Sequence, residues 1–293
     1  MKISIVVPSL NQAAYLRATL ESILTQADGN TEVLVFDGGS TDGSVRILRE
    51  YDGRVTWFSG PDNGQTDAIN KGLRQATGDV LAYLNSDDVY LPGALETVRA
   101  HFRDVPGSLV AYGRAHHLKA DGRFLEDYPT EKWNYGRLQE TCFVCQPATF
   151  WRREAMERFG HFDPALRYAM DYEYWLRLGR QVAFDYLDEA PALAGSRLHD
   201  QTKTLSARVN VHREILQVVQ RYADSAAPVQ SWLRHLAHHR TGEQMPGRRD
   251  AHAQRALIAR WAANVFLYAD EFQITLDEDA LAALDSHLAG VKL

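Results

Sequence analysis

Cysteine is scarce in this chain: two residues, Cys142 and Cys145, among 293. Their C-x-x-C spacing fits a redox pair or half of a zinc site, but a structural zinc takes four ligands and no second pair is present. The segment "QPATF" follows at once, where a thioredoxin-like pair would open a helix, so two buried free thiols are expected. Long apolar runs are missing as well. No stretch approaches the ~20 residues that cross a bilayer, and the opening "MKISIVVPSLN" is too short in apolar residues for a leader, so it reads as a first strand. These absences predict a cytoplasmic protein and leave peripheral membrane contact open. Basic excess is lacking too. A formal net charge of −6 with no basic run argues against a nucleic-acid binder, while a small anionic ligand held by a local site stays open. Neither G-x-G-x-x-G nor G-x-x-x-x-G-K-[ST] occurs, which excludes the dinucleotide fingerprint and the ATPase phosphate loop.

What is present is the composition of a soluble globular protein, 45% hydrophobic and 24% charged, long enough for one large α/β domain plus an appendage. "KISIVV" (2–7), "TEVLVFD" (31–37), "RVTWFS" (54–59) and "VLAYLN" (80–85) read as strands. Between them "AAYLRATLESILTQ" (13–26), "GGSTDGSVRILREY" and "GQTDAINKGLRQAT" (64–77) read as helices. That alternation predicts a parallel sheet with right-handed crossovers and a ligand beyond the strand carboxyl ends. Polar or small residues stand there: "PSLN", Asp37 with Gly38 and Gly39, "GPDNGQTDAIN" and "NSDD". From about 109 onward "LVAYGRAHHL", "GRFLEDY", "TFWRR", "VAFDYLDEA" and "ALAGSRLH" predict antiparallel strands extending the same sheet, with a helix at 171–180. Beyond about 205 the chain reads as helices, docked on the core or used for self-association.

Two spots carry chemistry on their own residues. "NSDD" after an apolar strand suits a divalent cation shared with a diphosphate, since Mg and Mn need few carboxylates when phosphates complete the shell. A capped turn explains it equally well. Asp37, directly after an apolar strand, suits acceptance of a base N–H or a ribose hydroxyl, which helix capping by Ser40, Thr41 and Asp42 does not explain.

Taken together, "ISIVVPSLNQAAYL", "VFDGGSTDGS", "PDNGQTDAINKGLRQATGDVLAYLNSDD" and "DYEYWLRL" resemble the inverting family 2 glycosyltransferases of GT-A fold, in order and spacing over roughly 1–200. The resemblance implies an α/β, Rossmann-like mixed sheet flanked by helices, with a C-terminal helical extension. It places a catalytic domain at 1–204, split into a nucleotide-sugar half (1–108) and an acceptor half (109–204), before a helical region at 205–293. Pro8, Ser9 and Asn11 then border the base, and Asp37 accepts a uracil-like ring N–H. Ile69 stands beside Asn70 where an Arg is usual, so Gln65 and Asp67 take over base or ribose contacts. The D-x-D element falls on Asn85-Ser86-Asp87, with Asn85 replacing the usual first acid. Asp87 becomes the main ligand of Mn2+ or Mg2+, and Asp88 helps. Asp171 matches the catalytic base, Met170 replacing the acid that often precedes it, with Glu173 as fallback. A carboxylate there takes a proton from an acceptor hydroxyl, a role compatible with an N-cap that fixes its orientation. Tyr172, Trp175, Leu176 and Leu178 are expected to face the core. Arg197 and His199 form an R-x-H element near the diphosphate, His199 also reaching the metal, with Lys203 close by; Gln146 faces the donor sugar or packs.

The expected activity is therefore metal-dependent inverting transfer of a sugar from a nucleotide-diphospho-sugar, uridine favoured by Asp37, to a glycan or lipid-linked hydroxyl in cell-surface polysaccharide assembly. A sugar nucleotidyltransferase would want a Gly- and Arg/Lys-rich loop, which "PSLNQAAYL" is not. A non-catalytic nucleotide-sugar binder is kept open by Asn85 and Met170. In the tail, His235, His238 and His239 read as a solvated helix face, and the stretches around Trp232 and Trp261 as packing, a dimer interface or membrane contact.

Overall fold

The computed structural model describes residues 1–222 and the single positions 266, 270, 278, 281 and 282. Trp232, His235, His238, His239 and Trp261, and with them the expected dimer interface and membrane contact, lie outside the described residues. One compact unit comprises Met1–Leu138 with Cys142–Glu214; Gln139–Thr141 with Ile215–Leu293 make the second.

In the first unit β1 (Ile3–Ser9), α1 (Leu16–Leu24), β2 (Thr31–Asp37), α2 (Ser44–Arg49), β3 (Thr56–Ser59), α3 (Gln65–Gln75) and β4 (Val80–Tyr83) alternate as the sequence leads one to expect. Every residue of β1 is buried, as befits a central parallel strand covered on both faces. The helices form because their apolar residues recur at helical spacing. In α1, Leu16, Leu20 and Ile23 make the buried stripe. In α3, Ala68, Ile69 and Leu73 do the same, and Gly72 lets the helix lie so close to β1 that a Cβ would stand 2.3 Å from Val6 Cγ1.

The remaining elements are β5 (Val89–Tyr90), α4 (Ala94–Asp104), β6 (Val110–Gly113), β7 (Ala115–Leu118), β8 (Phe124–Asp127), α5 (Tyr135–Glu140), β9 (Thr149–Arg152), α6 (Arg153–Phe159), α7 (Met170–Gly179), β10 (Asp185–Leu187), β11 (Ala194–Arg197), α8 (Lys203–Ser206) and α9 (Arg208–Tyr222). The main sheet has seven strands in the order β10-β6-β9-β4-β1-β2-β3. β3, β2, β1 and β4 run parallel, and β9 is antiparallel to both β4 and β6. With β2 to one side of β1 and β4 to the other, β1 marks the switch point where open α/β sheets bind ligands.

The second half does not simply extend this sheet. β5, β11, β7 and β8 form a separate four-stranded sheet in that order. "LVAYGRAHHL" is thus two strands in two sheets, parted at Gly113 and Arg114. The approach there is tight: a Cβ on Gly113 would meet Leu193 Cδ1 at 2.5 Å, and Leu193 donates its N–H to the Arg114 carbonyl at 2.7 Å. Pairing of β11 with β5, whose start follows directly on Asp88, is what brings the far end of the unit to the "NSDD" turn.

Candidate functional site

The carboxyl ends of β1, β2 and β3 finish in register, Ser9 against Asp37 and Asp37 against Ser59. Asp37 is only 3% exposed, and its carboxylate is occupied by its own loops. Oδ2 accepts from Gly39 N–H (3.1 Å), Ser40 N–H (2.9 Å) and the Ser59 hydroxyl (2.7 Å), and Oδ1 accepts from the Ser40 hydroxyl. The expected base acceptor therefore works first as the anchor of the loop after β2. Pro8 and Ser9 are buried, and Ser9 Oγ has no partner among the described residues. Asn11 is exposed and joins the two loops, taking Thr41 N–H on Oδ1 at 2.9 Å and giving its own N–H to Ser40 Oγ at 2.7 Å. It does so at φ 53°, a left-handed conformation that Asn tolerates better than most residues.

Another carboxylate, which sequence reading passed over, stands nearer the surface. A Cβ on Gly38 would lie 2.9 Å from Asp62 Oδ2, so Asp62 fills the space a side chain at 38 would occupy. Asp62 Oδ1 is fixed by Gly64 N–H at 2.8 Å. The glycine after Asp37 was the available signal, since only a missing side chain leaves that room.

At the "NSDD" turn each polar residue has a separate task. Asp87 Oδ2 lies 2.9 Å from His199 Nε2, and the His199 ring packs against Tyr15 with centroids 4.7 Å apart. Arg197 is buried and donates to carbonyls, Nε to Asp87 at 2.8 Å and Nη1 to Ala120 at 3.1 Å, its guanidinium 5.2 Å over the Tyr15 ring. These contacts make it a residue that shapes the turn. Asp88, expected to help hold the cation, is turned inward. Its Oδ1 accepts the Arg197 backbone N–H at 2.8 Å and its Oδ2 faces Asn85 Nδ2 at 3.3 Å, while its carbonyl takes the Thr19 hydroxyl from α1 at 2.7 Å. Burial, and then the charge of Asp87, push its carboxyl well above the usual range.

A directional chain of amides lines the floor. Lys203 Nζ donates to Gln65 Oε1 (2.6 Å), Gln65 Nε2 to Asn85 Oδ1 (2.6 Å), Asn85 Nδ2 to Gln146 Oε1 (3.3 Å), and Gln146 Nε2 to the Tyr83 carbonyl (2.7 Å). A carboxylate at 85 would face two acceptors, Gln146 Oε1 and Asp88 Oδ2, which is the physical reason Asn stands there. Gln146 is accordingly a buried packing residue. Ser86 is buried in the turn, and Asp67 accepts Asn63 N–H at 3.0 Å and pairs with Lys71 at 2.8 Å on the first turns of α3. Burial pulls the Lys203 ammonium down from its ordinary value, and its Nζ also donates to the Arg167 carbonyl at 3.4 Å. Ile69 is fully buried and Asn70 exchanges hydrogen bonds with the Phe162 backbone, so neither offers a cation in place of the usual Arg.

Asp171 sits in the first turn of α7, one residue inside the helix, with Ala169 in the cap position. The residue is half-buried, and its Oδ1 takes Tyr172 N–H at 2.8 Å. Burial raises its pKa to about 6, and the charge of Glu214 adds to the rise. Glu173, the fallback base, is 2% exposed and held by Arg177 through two contacts of 2.9 Å, which makes it a structural ion pair. Tyr172, Trp175, Leu176 and Leu178 are buried as expected. Both thiols are free; Cys145 is buried and Cys142 half-buried, and burial holds each well above the thiolate range.

A cation fits at Asp87 and His199. One carboxylate and one imidazole suit Mn2+ better than Mg2+ and leave most of the shell to phosphate oxygens and water. Among the described residues no three His, Cys, Asp or Glu side chains converge, so substrate would have to complete the set. Alongside runs a cleft of about 630 Å³ lined by Asn11, Gln12, Tyr15, Asp42, His199 and Gln201. No helix among the described residues is long and apolar enough to cross a membrane.

Residues 4–160 match the model of glycosyl transferase family 2. An uncharacterised glycosyltransferase of Rickettsia typhi is 28% identical over 222 residues, 70% of this chain and 66% of that protein. A PGL/p-HBAD biosynthesis glycosyltransferase of Mycobacterium bovis is 32% identical over 183 residues, 59% of this chain and 68% of that one. The chain spans 37% and 32% of further glycosyltransferases of Rickettsia conorii and Rickettsia bellii, so several of these relatives are much longer. In fold it is similar to S. aureus TarS in complex with UDP-GlcNAc (TM-score 0.62, 19% identity, 89% of this chain and 80% of that). It is also similar to the mannosyltransferase PcManGT of Pyrobaculum calidifontis in complex with GDP-Man and Mn2+ (TM-score 0.60, 17% identity, 98% and 85%). With more than half its length under the family model, and the mixed sheet and strand-end loops described above, the chain belongs to glycosyl transferase family 2.

Proposed function

We propose that this protein is a metal-dependent inverting glycosyltransferase that moves a sugar from a nucleoside-diphospho-sugar to a hydroxyl of a glycan or glycolipid acceptor in cell-surface polysaccharide assembly. The observation that carries the reading is Asp171, a half-buried residue in the first turn of α7 whose carboxyl pKa is raised by burial to about 6, which suits proton abstraction near neutral pH. The donor lies over the ends of β1 to β4, held by the loops at Ser9, Asn11 and Asp62 and by Gln65 and Lys203. Residues 1–108 supply this donor half and 109–204 the acceptor half. Asp171 takes the acceptor proton while the acceptor oxygen bonds to the anomeric carbon from the face opposite the diphosphate. The bond from that carbon to the phosphate oxygen breaks, and its electron pair leaves with the nucleoside diphosphate. One displacement inverts the configuration. Asp87 and His199 would hold a divalent cation, which supplies charge stabilisation to the departing diphosphate. Uridine is the favoured base because a carboxylate at the strand ends accepts a ring N–H, a part that falls to Asp62 since the loops occupy Asp37. The TarS complex with UDP-GlcNAc supports a uridine donor, and the PcManGT complex with GDP-Man and Mn2+ supports the cation.

The test is calorimetric titration of UDP, GDP and dTDP in Mn2+ and in chelator, on wild type and Asp87→Ala. UDP binding that needs the cation and weakens about tenfold or more in the variant is expected, the loss of one charged contact. If none of the three binds under any condition, this reading falls, the nucleotide-sugar binder falls with it, and a non-catalytic scaffold replaces both. Anomeric NMR of the product from an active UDP-sugar then checks inversion; retention would exclude the single displacement.

A further inference from the structure

Glu214 lies in α9, far along the chain from α7, yet its carboxylate closes the turn from which α7 starts. Oε1 accepts the N–H of Arg167 at 2.8 Å, and Oε2 accepts those of Tyr168 at 2.5 Å and Ala169 at 2.6 Å. These are backbone donors at and before the helix start, which no side chain of α7 itself caps. The same turn receives Lys203 Nζ on the Arg167 carbonyl at 3.4 Å. Asp171 stands two residues beyond the last of the three donors. Three hydrogen bonds to one carboxylate fix the turn, and with it the direction in which α7 presents its first residues.

We propose that Glu214 is a positioning residue for Asp171, tying the 167–169 turn so that the base carboxylate keeps one orientation. This rests on the reading of Asp171 as the base. The charge of Glu214 has a second effect. The groups facing Asp171 are Tyr83 of β4, Tyr128 after β8, and Cys142 and Cys145, all pushed up by burial and neutral near pH 6, and Glu214. Lys203 faces Glu214 in turn and also feels Arg167, Asp87 and Asp62. Burial is the main cause of the rise at Asp171, and Glu214 adds to it.

Glu214→Gln keeps the shape and removes the charge and part of the acceptor set; Glu214→Asp keeps the charge and shortens the reach. Both are made in the full chain and compared with Asp171→Asn. The titration of Asp171 is read by carbon NMR of labelled aspartate carboxyls, its signal assigned by its loss in Asp171→Asn. UDP release from a UDP-sugar that the wild type hydrolyses gives kcat and KM. Expected for Glu214→Gln are a lower titration midpoint for Asp171 and kcat reduced roughly 10- to 100-fold, with KM changed less than about twofold. Glu214→Asp should hold the midpoint nearer wild type while kcat still falls, which keeps the test in force should the Gln variant fail to fold. Full turnover in Asp171→Asn would remove the base and this proposal with it. An inactive Asp171→Asn beside Glu214 variants with wild-type midpoint and kcat would overturn the role of Glu214 alone.

Discussion

A carboxylate enclosed by protein keeps its proton to higher pH because the ionised form loses solvation, and Asp171 shows this, its pKa standing at about 6 against 3.8. The folded state then binds more protons than the unfolded state between those two values, so stability falls as pH rises from about 4 to about 6 and the penalty is constant above. The full shift corresponds to about 3 kcal/mol at most, and less where solvent reaches the group. Asp171→Asn removes the charge without changing shape. Its melting temperature should match wild type near pH 4 and exceed it by several degrees at pH 7 and above. Equal melting temperatures across that range would mean that the site imposes no cost on the carboxylate. Under the proposed base role the same ionisation sets activity with the opposite preference: a base must be charged, so turnover in a pH–rate profile is expected to fall as pH drops through about 6.

At the scale of elements, the approach of α3 to β1 decides where Gln65 stands, because Gln65 opens that helix. Gly72 is the close contact. Alanine is the better helix former by up to about 1 kcal/mol, yet its Cβ would enter Val6 at 2.3 Å, and overpacking of that kind costs about 1–3 kcal/mol. Sterics win, so Gly72→Ala is expected to destabilise by about 1–2 kcal/mol in urea unfolding and to weaken UDP binding as Gln65 shifts. Adding Val6→Ala should recover part of the loss, a coupling that independent sites would not show. Elements such as α3 were readable in the sequence because each carries its own period and turn residues, and β1 through β4 with them. The second sheet was not. β5 is two residues long, and "LVAYGRAHHL" is continuous in pattern although the chain changes sheet at Gly113. Site residues divide along the same line. Asp87, Asp171 and His199 are candidates that local motifs single out, whereas the placement of Asp62 over Gly38 and of Glu214 at the start of α7 exists only through contacts that cross from one segment to another. Asp88 and Glu173 mislead because an acidic letter does not reveal that Arg197 or Arg177 already engages it.

For the first unit as a whole, the proposed donor site is assembled from segments that only the fold holds together. Ser9 ends β1 and Asn11 follows it, Asp62 follows β3, Asp87 comes from the turn after β4, and His199 from beyond β11. A ligand that engages them all binds the folded state and not the unfolded chain, so its binding energy adds to stability. At 100 times its Kd the gain is ~2.7 kcal/mol, which for a unit of this size raises Tm by about 5–10 °C. UDP with Mn2+ should produce such a shift. The cation dependence should vanish in Asp87→Ala, and UDP in chelator should give a smaller shift in both proteins. A shift of equal size with and without Mn2+ in wild type would place the nucleotide away from Asp87 and His199. Because the strand-end loops meet only at the switch point beside β1, a stabilisation that ignores Asp87 would mean binding elsewhere on the protein.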